Sequence, residues 1–105
     1  MTPTQALAMR TVIEDVVAER YRQDERWGQQ DWPDMSPGDY VAGELLEQDA
    51  RRDLDQAPTF SAILREEVGE ALQEIDPVGL REELVQVAAV AVQWIEAIDR
   101  REGPK

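Results

Sequence analysis

The sequence predicts an all-α fold, a four-helix bundle, and three observations carry that expectation. Apolar residues recur at helical spacing in four separate segments. Each segment is bracketed by capping residues, Pro or Gly. No stretch between them shows the alternation of a half-buried strand. The chain has 105 residues, the length of one small domain, and no internal repeat or low-complexity tract divides it.

The first helix is predicted over Thr4 to Arg26. Thr2-Pro3-Thr4-Gln5 has the form of a capping box with Pro at the first helical position, and Gly28 ends the element. Met9, Ile13, Val16, Val17 and Tyr21 mark its apolar face. A turn-rich stretch, Gly28 to Met35, follows. Ser36-Pro37 reads as cap and first residue of a second helix, Pro37 to Asp55, with a thin stripe of Val41, Leu45, Leu46 and Leu54 that Gly43 weakens. Pro58 breaks the chain. Thr59 or Ser61 caps a third helix running to Ile75. The fourth spans Pro77 to Arg101, with Asp76 as cap and Gly103-Pro104 as stop.

Composition excludes whole chemistries. There is no Cys and no His, hence no disulfide, thiol nucleophile, Cys/His zinc site, catalytic triad or imidazole base. The net charge of −12 argues against a nucleic-acid polymer, whose phosphates want Lys and Arg opposite them, and suits a surface that collects divalent cations. No apolar run is long enough to span a membrane. The N-terminus lacks the basic and apolar regions of a signal peptide, so the chain reads as cytoplasmic.

Carboxylates stand on apolar faces. On a helical wheel Glu67 falls between Phe60 and Ile63, inside the apolar arc of the third helix, and Glu70 lies on its edge. On the fourth helix Leu80, Val87, Ala88, Ala91, Trp94, Ile95 and Ile98 define the side expected to be buried. Glu83 falls between Trp94 and Val90, and Gln86 lies just beyond. Glu66 and Glu82 point outward and read as solvated. A buried unpaired carboxylate costs several kcal/mol (about 3–5 when a buried pair loses one partner), so these positions ask for partners.

The turn near Asp76-Pro77 makes the two helices an antiparallel hairpin. Glu67 and Gln86 are equidistant from that turn, and so are Glu70 and Glu83. Four oxygen-bearing side chains are therefore expected at neighbouring heights, with no Lys or Arg on the same arcs to neutralise them. A hard divalent cation, Mg²⁺ or Mn²⁺, is the partner that fits such oxygens.

At these residues the chain resembles the MazG-like all-α nucleoside triphosphate pyrophosphohydrolases, in their short, single-domain form from actinobacteria and their phages. That superfamily also holds dimeric dUTPases, dCTP pyrophosphatases and phosphoribosyl-ATP pyrophosphohydrolases. Its mark is E-x-x-E on one helix and E-x-x-D on the next. Glu66-Glu67-Val68-Gly69-Glu70 supplies the first half and Glu83-Leu84-Val85-Gln86 the second, with Gln86 where the family usually carries Asp. Ile63 to Arg101 is similar to the family core, and Glu19 to Gly28 to the N-terminal segment of its short members.

The resemblance implies a single MazG-like helical domain over 1–105 and hydrolysis of an NTP or dNTP to the monophosphate and pyrophosphate. It implies Glu67, Glu70 and Glu83 as catalytic and metal-holding residues, Gln86 as a further metal ligand, and Mg²⁺ (or Mn²⁺) as cofactor. It also implies a homodimer or homotetramer with sites near the subunit contact. Ten of the eleven basic residues are Arg. Arg22 and Arg26, one helical turn apart beside Trp27, form a candidate substrate-binding cluster in which the guanidinium groups clamp phosphate and an aromatic ring (Trp27 or Trp32) stacks on a base. Pairing with surface carboxylates is the plainer role for these arginines. Trp94 reads as a core or interface residue. The apolar run Val87 to Val92 places the fourth helix centrally or at a subunit contact. The rival expectation is a helical nucleotide-sensing or protein-interaction module of the same fold with weakened catalysis, and Gln86 is the feature that favours it.

Overall fold

The computed structural model describes residues 1–103. The chain is all-α. Its elements are α1 (Pro3–Trp27), α2 (Asp39–Gln56), α3 (Phe60–Leu72) and α4 (Pro77–Glu102), and no strand occurs among the described residues. No helix of the described residues is long and apolar enough to cross a membrane.

Helix ends follow local chemistry. The Thr2 hydroxyl accepts from Gln5 N at 3.1 Å while Thr2 N donates to Gln5 Oε1 at 2.7 Å, completing the capping box of α1. Gly28, at φ 68°, closes that helix. Thr59 caps α3 by accepting from Ala62 N. The Asp76 carboxylate meets Gly79 N at 3.3 Å at the start of α4. Gly103 turns left-handed beyond Glu102; Pro104, the other half of the expected stop, lies outside the described residues.

Two boundaries differ from expectation. Ser36 and Pro37 do not open α2. They begin a turn in which Asp39 N donates to Ser36 O at 3.1 Å and Gly38 takes φ 97°. Pro second and a left-handed Gly third is the pattern of a type II turn, which delays the helix to Asp39. Likewise α3 ends at Leu72, three residues before Ile75, which stands 90% exposed.

The chain falls into two compact units. One comprises residues 1–33 and the described residues from 92 onward, and Val12 of α1 is its best-buried large side chain. Of the face expected from the α1 periodicity, Met9 is half-buried, whereas Ile13, Val16, Val17 and Tyr21 are exposed. The other unit, residues 34–91, contains α2, α3 and the first part of α4. Its α2–α3 contact is built on glycine. A Cβ on Gly69 would lie 2.8 Å from Gly43 O and 2.9 Å from Glu47 N. Gly43, a liability by helix propensity, is therefore what lets the two backbones meet. Val41 and Leu45 of the expected α2 stripe are exposed, because the crossing is made by Gly43 and Ala50 instead. An Arg65–Asp53 ion pair of 2.6 Å closes one edge of the same crossing.

Within this unit the expected buried side of α4 is met in part, with Leu80, Val87 and Ala91 half-buried. Val90 is buried and Glu83 and Val87 are half-buried, whereas Leu84, Val85 and Ala88 are exposed. Glu83 thus lies on the inward face of α4, between the half-buried Val87 and the buried Val90.

Candidate metal centre

Glu67 and Glu70 stand one turn apart on α3, and the start of α4 brings Glu83 against them. One carboxylate oxygen from each lies within 4.8 Å of the others, and all three residues are partly buried. Glu67 Oε2 and Glu83 Oε2 are shut away from solvent without a hydrogen-bond partner among the described residues. An unsatisfied buried acceptor costs about 1–3 kcal/mol, more when charged, and a cation at those oxygens would offset that cost.

Protonation shifts report the same crowding. Burial, then the Glu83 and Glu66 charges, raises the Glu67 carboxyl above its usual range. Burial, followed by the charges of Glu67, Glu83, Glu66 and Glu47, lifts Glu70 to about 7. Like charges at close quarters cannot all ionise without a counter-charge. The donor set is oxygen only, which fits a hard divalent cation.

Gln86, the fourth expected ligand, lies one turn beyond Glu83 on α4 at an exposed position. Glu82 is exposed, as its wheel position predicts. Glu66 is not simply solvated. Its side chain is 27% exposed and pairs with Arg51 of α2 at 3.7 Å.

Two residues missed by sequence reasoning border the site from α2. Glu47, 15% exposed, holds Arg51 at 2.6 Å through Oε1, and its Oε2 accepts from Gln73 Nε2 at 2.8 Å. The i,i+4 spacing of Glu47 and Arg51 is visible in the sequence. Their placement is set by the Gly43–Gly69 crossing, which periodicity alone does not reveal.

Arg22, Arg26 and Trp27 belong to the other compact unit, where they border a shallow crevice on α1. Arg22 pairs with Glu19 at 2.7 Å, the plainer role considered for these arginines. The Arg26 guanidinium lies 4.8 Å from the centre of the Trp27 ring, a cation–π contact.

No family model matches the chain, and neither the curated proteins nor the solved structures contain a significant match.

Proposed function

We propose that this chain is a Mg²⁺- or Mn²⁺-dependent nucleoside triphosphate pyrophosphohydrolase of the MazG-like kind, cytoplasmic and oligomeric. One observation carries the reading: three carboxylates from two helices converge on a common point, with two of their oxygens buried and unpartnered. The E-x-x-E of α3 and the glutamate of α4 supply that convergence at the spacing on which the resemblance rests.

In this reading Glu67, Glu70 and Glu83 hold the cation, with Gln86 as a further oxygen ligand. When bound, the cation would offset the phosphate charge and make a water easier to deprotonate. Attack of water oxygen on the α-phosphorus forms one P–O bond and breaks the bond to the β-phosphate, releasing the monophosphate and pyrophosphate. With no His in the chain, a carboxylate neighbouring the three ligands would be the side-chain base available for the proton of that water.

A pyrophosphate-release screen over the common NTPs and dNTPs with Mg²⁺ and Mn²⁺ tests the proposal. Release that disappears in Glu67→Gln and Glu83→Gln supports it. A flat result at high protein concentration favours the second reading, a nucleotide-sensing or interaction module. The exposed amide of Gln86 is the observation on that side, because it leaves the cluster with three carboxylates rather than four.

A further inference from the structure

Among the described residues, Arg51 is the cation that ion pairs place at the carboxylate groove. It reaches from α2 to Glu47 on its own helix, at 2.6 Å, and to Glu66 on α3, at 3.7 Å. Both of those carboxylates act electrostatically on Glu70 of the triad. The two acids are packed, at 15% and 27% exposure, whereas the arginine side chain is 63% exposed. The acids thus form a seat and the guanidinium faces outward from it. Glu47 does not depend on the arginine alone, because Gln73 donates to its other oxygen while also donating to Gly69 O at 2.9 Å. The seat therefore keeps a hydrogen bond when the guanidinium turns to another anion.

We propose that Arg51 is an anion-binding residue of the metal site, contacting phosphate oxygens of a polyphosphate chain held against the triad cation. The inference rests on the pyrophosphohydrolase reading and extends it to a named phosphate contact on α2. A polyphosphate approaching the triad meets the charges of Glu67, Glu70 and Glu83 and of the nearby Glu47 and Glu66, a repulsion that one divalent cation only partly offsets. A guanidinium is always charged and presents a planar fork of donors matched to phosphate. Arg51 has that fork, a largely exposed side chain, and two carboxylates that hold the guanidinium at Nη2 and Nε.

The test uses two probes with opposite expected signs. Mn²⁺ alone is titrated calorimetrically into wild type, Arg51→Ala and Arg51→Lys, and inorganic tripolyphosphate is then titrated in the presence of saturating Mn²⁺. Removing a positive charge from an acidic groove leaves Mn²⁺ affinity unchanged or tightens it. Tripolyphosphate binding weakens about tenfold or more in Arg51→Ala and less in Arg51→Lys, which keeps the charge and loses the fork. A merely structural arginine lowers the melting temperature and moves neither titration in this divergent way. Tripolyphosphate affinity equal to wild type in Arg51→Ala overturns the proposal and leaves the metal site standing. Mn²⁺ binding without tripolyphosphate binding in the wild type overturns both this proposal and the nucleotide reading.

Discussion

Metal and protons compete for the same carboxylates, which makes the stabilisation by metal depend on pH. Burial and the neighbouring carboxylates raise the Glu70 carboxyl from 4.5 to about 7. Between those values the folded chain holds a proton that the unfolded chain has lost. The sign follows: this group favours the apo fold at low pH, and the benefit disappears as pH rises through 7. The full shift corresponds to about 3 kcal/mol, and solvent screening of a partly exposed carboxyl reduces it to about 2 kcal/mol. A cation must displace that proton. At a metal concentration about 100 times the dissociation constant at about pH 8, binding stabilises the fold by about 2.7 kcal/mol, or more than about 10 °C in Tm for a chain of this size. At about pH 5, two units below the Glu70 value, proton competition raises the apparent dissociation constant about a hundredfold and leaves about 0.4 kcal/mol, a few degrees at most. Thermal melts with and without Mn²⁺ at the two pH values measure the difference, and Glu83→Gln is the control in which the gain is largely lost. Equal metal shifts at both pH values, or none at either, would refute the reasoning.

Three further expectations follow from particular contacts. Gly69→Ala forces a Cβ against Gly43 O and Glu47 N and should cost about 2–3 kcal/mol by separating α2 from α3, read as a lower urea midpoint; a neutral result would mean the helices do not cross there. Gln86→Asp adds a negative charge one turn from Glu83, and calorimetric Mg²⁺ titration should show tighter binding, by up to a few kcal/mol (about 4 for a close pair at an effective dielectric near 20) before desolvation is subtracted. Unchanged affinity would show that residue 86 does not reach the cation. Val78, Leu84 and Val85 of α4 are each more than half exposed, a surface expected to be covered by a second copy, so light scattering should give at least a dimer at micromolar concentration; a particle of 11.9 kDa, the monomer mass, would refute this.

The helices and most of their ends were legible because their signals are local. Thr2, Gly28, Thr59 and Asp76 each act on groups within four residues, so the sequence contains the whole interaction. Ser36-Pro37 misled for a related reason. It has the form of a cap and first residue, and only the left-handed Gly38 reveals that the same residues make a turn first. Helix faces were less legible. Periodicity shows that an apolar arc exists, and packing partners decide which part of a broad arc turns inward. On α4 the run of Val and Ala allows several rotations, and the observed one buries Val90 and exposes Leu84.

The site divides along the same line. Its α3–α4 half was legible because a short turn between antiparallel helices converts sequence distance into height, and this places Glu67, Glu70 and Glu83 together. Its α2 half depends on a crossing between residues 26 positions apart, Gly43 and Gly69, for which no periodic signal exists. The clue available was compositional: a glycine inside each of two helices, each at a cost of about 1 kcal/mol in propensity, needs a packing reason. Pairing the two glycines places Glu47 and Arg51 beside the E-x-x-E of α3. That crossing explains why the charge balance of the groove differs from the one read along α3 and α4 alone. The arcs of those helices carry carboxylates without a compensating cation, and the cation, Arg51, arrives from α2, already engaged by Glu47 and Glu66.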